Sequence, residues 1–489
     1  MWNTAQLALA NLEAAGLREV VYLPGQESYT ARNASYWSLT TQLHPWAIIQ
    51  PRNPEEVSRA VKAVVATPGC NFAVRSGGNM CVPGSNNISD GITIDLDLLS
   101  DITYNPESQI ASFGPGAKWG DVYTQMTKYG RMLAGGRDGG VSAGGVMAGG
   151  GIAFHTCRYG FGCDQVLNFE VVLADGRIVN ANKTTNPALF QALKGGGNNF
   201  GIITRFDTVT FPVGDIWDCT LVYTQDRVAE VADALVDFVE NLANQPNDHM
   251  FAMWAYRTGQ KEEPIILNFA NLDGEENPKT LKRFLNIPSR KKAMFTTIPA
   301  KTRYQLVASG NHDAWYTVTF RADPDLILKA STVFATLKTS LQLRLYPLQD
   351  HFQITMFLQP LPTSFASHSQ ARGGNMLGLE HIKYNSILLL CSTKVESAEV
   401  NAKIASPALR SAMKEFESYA EAAGGLAKFQ YANYAHHAQD PLGSVGTENI
   451  RFMKGVARQF DPQGVFQRRV PGGFKLDNAQ AANELRLKL

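Results

Sequence analysis

Phe72-Ala73-Val74-Arg75-Ser76-Gly77-Gly78-Asn79 runs from a short apolar stretch straight into paired glycines. The apolar residues read as a buried strand and the glycines as the turn that follows it. Glycine has no side chain to hold a ligand away and adopts positive φ freely. Such a turn lets backbone N–H groups converge on an anion. The pyrophosphate of a dinucleotide carries two negative charges and needs a nest of that kind. An ordinary tight turn fits this stretch equally well, so the rest of the chain has to decide.

Two more glycine clusters shift the balance. Gly135 to Gly151 holds nine glycines in seventeen residues. The small apolar residues between them, Val141, Ala143 and Val146, argue against a solvated tether. Further on comes Lys194-Gly195-Gly196-Gly197-Asn198-Asn199-Phe200-Gly201-Ile202. Between the two lie Arg158-Tyr159-Gly160 and Asp175-Gly176. The latter separates Val171-Val172-Leu173 from Ile178-Val179 and predicts a two-residue hairpin turn. There is no Walker motif and no Gly-x-Gly-x-x-Gly with an acidic partner. Gly114-Pro115-Gly116 reads as a turn after a strand at Ile110 to Phe113.

Taken in order, these blocks resemble the berberine-bridge-enzyme-like oxidases of the vanillyl-alcohol-oxidase, PCMH-type superfamily of FAD-linked enzymes. Tyr431-Ala432-Asn433-Tyr434 and Asp461-Pro462-Gln463-Gly464-Val465-Phe466 extend the likeness to the C-terminal region. The resemblance implies an α+β fold of two domains. Residues of about 1–214 (core about 42–214) and 426–489 form the FAD-binding part. Residues 215–425 form a substrate domain, an antiparallel sheet flanked by helices.

The same resemblance assigns residues. The family's flavin-linking histidine follows the paired glycines, and here that position is Asn79. Doubly linked relatives use a cysteine, and the matching position is Asp138. Neither an amide nor a carboxylate makes those bonds, so the expectation is non-covalent FAD. Asp138 also suits a turn between glycines, and that reading is preferred over an acid or base near the flavin face. Asn79 either bonds to the flavin's surroundings or only preserves the loop. Val141 falls at the oxygen-gating position, where a small aliphatic fits the oxidases, with O2 as electron acceptor; packing beside the flavin is the alternative. Arg75, Ser76, Gly77, Gly78, Gly135, Gly144, Gly145, Gly150, Gly151, Gly201, Ile202 and Asn433 complete the expected cofactor contacts. Tyr431 and Tyr159 are the favoured catalytic tyrosines, each also expected at the flavin, with Tyr434 as a further candidate. A tyrosine acts as a base only beside positive charge. Arg158 and His155 lie near Tyr159 in sequence, and His436 and His437 near Tyr431 and Tyr434. The bland alternative for each tyrosine is a space-filling hydroxyl.

Composition narrows the rest. A formal net charge of +1 offers no general attraction to nucleic acid or an anionic membrane. No apolar run is long enough to span a bilayer. The N-terminus lacks the pattern of a secretory leader, which favours a cytoplasmic protein over a secreted mature form. Three sequons, at Asn33, Asn87 and Asn182, are formal glycan acceptors. Six cysteines without metal-like spacing read as buried thiols, and no metal site is expected. His436-His437 reads as facing solvent or the substrate pocket. The expected reaction is hydride transfer from a small, largely apolar secondary metabolite. A redox-neutral cyclase with structural or absent flavin is the alternative, and a carbohydrate oxidase ranks third. Oligomeric state is not readable from the chain.

Overall fold

The computed structural model describes residues 3–289, 291–299 and 309–480. Residues 1–2 and 481–489, at the ends of the expected FAD-binding part, lie outside the described residues. Local chemistry sets the first half. Asn53 accepts from the Glu56 N–H at 2.8 Å and Pro54 takes the first turn, so Pro54–Ala66 starts as a capped helix. Its valines pack on a four-stranded sheet, ordered Val21–Tyr22, Ala47–Ile49, Gly91–Asp95, Asn71–Arg75. The last three strands are parallel. A second sheet, fully antiparallel, is ordered Ile102–Asn105, Ile110–Phe113, Ile202–Val209, Val166–Val172, Ile178–Asn182.

The largest sheet has eight antiparallel strands drawn from residues 215–427. Helices Val228–Asn241, Pro324–Leu345 and Ser406–Ala422 share one apolar core with it. Each Leu or Phe buried there stabilises by about 1.5–3 kcal/mol. Strand alternation sends neighbouring residues to opposite faces. Tyr316 bonds Glu417 on the Ser406–Ala422 helix, while Trp315 borders a cavity on the other side. Met250 and Leu358 enter the shared core, and His249 and Gln359 beside them both reach Arg137. The sheet therefore presents a polar-tipped wall to the first half of the chain.

Two expectations change. The Asp175-Gly176 hairpin is a wider turn: Leu173 and Arg177 pair at 2.9 Å around Ala174, Asp175 and Gly176, with Gly176 at φ 80°. Asp175 accepts from the Arg177 N–H at 3.0 Å and fixes that longer form. The sequons at Asn33 and Asn87 are buried, and the Asn87 amide donates to Thr41 O and Leu43 O, so neither is open to a glycan. The Asn182 amide donates to Asn168 while its oxygen caps a local turn. All six cysteines are free and buried. Among the described residues, no helix is long and apolar enough to cross a membrane.

Candidate active site

The end of the Asn71–Arg75 strand meets two other backbone turns. Ser76 Oγ donates to Pro115 O at 2.6 Å, and the Gly144 N–H donates to the same oxygen at 3.0 Å. The contacts leave no room for side chains. A Cβ on Gly77 would stand 2.4 Å from Asn79 Oδ1 and 2.7 Å from Ser142 Oγ, and one on Gly144 would stand 2.8 Å from Ser76 Oγ. Gly78 has φ 71°, which strongly favours glycine. These turns, with Gly195–Gly197, Gly201 and Ile202, wall a cavity of about 430 Å³.

The far wall is aromatic. Tyr431 is buried, and its hydroxyl oxygen accepts from the Gly151 N–H at 3.0 Å and from Asn433 Nδ2 at 3.1 Å. Burial pushes its phenol well above the ordinary range, so it stays protonated. Tyr434 packs edge-on against Tyr431 with ring centroids 4.9 Å apart. Arg137 Nη2 donates to Tyr434 Oη at 2.9 Å and also to Gln359 Oε1, and its Nη1 faces His249 Nε2 at 3.4 Å. Burial, then the neighbouring Arg137 and His155, pushes His249 well below its usual range. Its ring is therefore neutral and serves as an acceptor.

Of the residues expected at the cofactor, Ser76, Gly77, Gly78, Asn79, Asp138, Val141, Gly144, Gly145, Gly201, Ile202, Tyr431 and Asn433 border the cavity. Five expected contacts do not. Arg75 turns to the opposite side of its strand from Val74, stacks 3.8 Å over Tyr36 and donates to Arg32 O and Ser35 O. Gly135 lies under Trp119, where a Cβ would come within 2.1 Å of the indole. Gly150 and Gly151 lie behind the wall and hold Tyr431 from the rear. Tyr159 stacks on Phe211 at 4.1 Å, away from the cavity. His436 is buried against Ser406 and His437 is exposed, and neither reaches the cavity. Desolvation lowers His436 to about 4, so it supplies no positive charge to Tyr434. Arg137 supplies it instead. Sequence reasoning passed over Arg137, Trp315 and Pro115, although Arg137 stands inside the glycine run.

Residues 45–182 match the FAD binding domain family. The chain is 32% identical over 487 residues to the FAD-dependent monooxygenase sdcF of Emericella nidulans, covering 98% of this chain and 100% of that protein. This protein belongs to the FAD-dependent monooxygenases and related FAD-linked oxidoreductases. It is also 30% identical to the bifunctional solanapyrone synthase of Alternaria solani, over 96% of this chain and 89% of that one. Its fold matches Physcomitrella patens BBE-like 1 with a TM-score of 0.77 at 17% identity, over 96% of this chain and 99% of that one.

The cavity of this FAD-linked oxidoreductase fits its cofactor. Ser142 Oγ is buried beside Gly77 and has no hydrogen-bond partner among the described residues, which leaves it for a ligand. Ser76 to Asn79 and Gly145 would hold the pyrophosphate side, where Gly77, Gly78 and Gly145 have no Cβ to keep a ligand from the backbone. Asp138 sits in a turn, its Oδ1 accepting from the Gly140 N–H at 2.9 Å, and the residue borders the cavity.

Proposed function

We propose that this enzyme oxidises a small, largely apolar metabolite using FAD held without a covalent bond, with O2 as the terminal acceptor. The observation that carries the reading is the Arg137–Tyr434 hydrogen bond at the aromatic end of a glycine-walled cavity. FAD, when bound, supplies the two-electron acceptor for the substrate carbon. As a phenolate, Tyr434 takes the substrate proton and is left as the neutral phenol; Arg137, hydrogen-bonded to its oxygen, is the counter-cation to that phenolate before the transfer. Tyr431 stays protonated and orients the substrate, while Trp315 and Ile152 supply apolar walls.

Non-covalent binding is supported by the lining: among the described residues, neither histidine nor cysteine borders the cavity. Val141 borders it too, which supports access of O2 past a small side chain. A relative named as a bifunctional synthase supports a second reading, in which the same cavity also promotes a redox-neutral step.

The test is anaerobic mixing of FAD-loaded protein with candidate metabolites. Bleaching of the flavin absorbance, slowed at least about a hundredfold by Tyr434→Phe, supports the proposal. A substrate that turns over without bleaching would replace it with the redox-neutral reading.

A further inference from the structure

Arg137 carries a charge that the protein leaves unbalanced. Its guanidinium has five N–H groups. Three are directed at Gln359 Oε1, Tyr434 Oη and His249 Nε2, none of them a carboxylate. Among the described residues, no carboxylate lies within ion-pair distance of it. Asp138, the next residue, is the other charged side chain bordering the cavity among the described residues, and its Oδ1 is engaged with the Gly140 N–H. The ring of Phe251, 5.7 Å from the guanidinium carbon, adds only a weak compensating contact.

A partly buried cation without an anion is costly unless a ligand completes it. The geometry of the completing group is constrained. Two guanidinium N–H groups remain, and the residue borders the cavity beside Tyr434 and Trp315. Trp315 packs at a tilt against Trp37, ring centroids 5.2 Å apart, and meets Tyr434 edge-on at 6.4 Å, which gives this end of the cavity rigid aromatic walls. A planar group with an anionic oxygen fits both features. The fork of a guanidinium also prefers an oxygen anion to a neutral carbonyl.

We propose that Arg137 selects the substrate by pairing with an oxygen anion, a carboxylate or a phenolate or enolate, on a planar conjugated group. The inference rests on the cavity being the substrate pocket. It adds that the apolar metabolite carries one acidic oxygen, held where Tyr434 also reaches. Arg137 thus joins recognition to proton transfer: the group that anchors the anion also stabilises charge on the phenol.

Calorimetric titration of the FAD-loaded full chain tests this without needing turnover, so it can fail while the redox reading stands, and the reverse. The probes are benzoate, 4-nitrophenolate and neutral benzamide, each at a pH where the first two are ionised. Benzoate, 4-nitrophenolate or both should bind at least about tenfold more tightly than benzamide, and which anion wins separates the carboxylate from the phenolate or enolate source. Arg137→Met should bring anion and amide within about twofold of each other, while Arg137→Lys keeps part of the preference. Retained FAD absorbance in both variants shows that the cavity is intact. Equal binding of anions and benzamide to the unmodified protein, or an anion preference that survives in Arg137→Met, overturns the assignment.

Discussion

Arg137 donates to the Tyr434 hydroxyl across 2.9 Å, joining the glycine-rich loop to a turn 297 positions further along the chain. The cation that a tyrosine base needs therefore comes from the cofactor loop and not from the histidines beside Tyr434 in sequence. On the proposed reading, proton transfer lies where the glycine-rich loop and the central sheet meet.

If Tyr434 takes the proton, Tyr434→Phe should slow anaerobic flavin reduction by a factor of about 10²–10⁴ and leave bound FAD unchanged. Tyr159→Phe, which keeps the ring on Phe211 and lies away from the cavity, should reduce the flavin within about threefold of the unmodified rate. Stopped-flow traces of both variants decide the matter, and the opposite ranking would move the base to Tyr159.

FAD that binds only the folded chain should raise its stability by mass action, by about 2.7 kcal/mol at a hundred times Kd. The melting temperature should therefore climb steadily with added FAD. A melting temperature that ignores FAD would count against reversible binding.

Backbone approach at the glycine turns should be sensitive to a single methyl. Gly144→Ala places a Cβ 2.8 Å from Ser76 Oγ and 2.9 Å from Pro115 Cβ, against the fixed meeting point of the turns. A loss of FAD affinity of at least about tenfold is expected. Fluorescence titration of the released cofactor measures it, with Gly145→Ala, whose Cβ meets nothing within 4 Å, as the milder comparison.

Stability should fall with acid through the histidine range. Desolvation holds His436 at about 4 and His155 at about 3 in the folded chain, below their unfolded value of about 6.5. The unfolded chain then binds more protons, so the stability these groups contribute is present above about pH 6.5 and is lost as pH falls toward 4. Asp313 acts the other way. Burial raises its carboxyl to about 6, so its contribution falls as pH rises from about 4 to 6. His436→Gln should flatten the acid limb of a melting-temperature profile, whereas Asp313→Asn should steepen it.

Much of this arrangement was legible in local sequence because its causes are local. Glycine pairs, the Asn53 cap and the period-two strands each act within a few residues, and the cavity walls followed from them. The tyrosine element at 431–434 was legible as a motif, but the choice among its tyrosines was not. Arg75 and Val74 are neighbours on one strand, and sequence alone did not say which of them faces the ligand. Arg137 stood in plain view between glycines, yet its partners Gln359 and Tyr434 come from 222 and 297 positions away. Gly114-Pro115-Gly116 read as a simple turn, and only the packed structure makes Pro115 O the acceptor shared by Ser76 and Gly144. Long-range convergence of this kind leaves no local trace.

The most direct test of non-covalent FAD in this cavity is the absorbance spectrum of the purified protein before and after acid precipitation. A yellow protein whose flavin stays in the supernatant is the predicted result. A yellow pellet, or a colourless protein that takes up no added FAD, would contradict it.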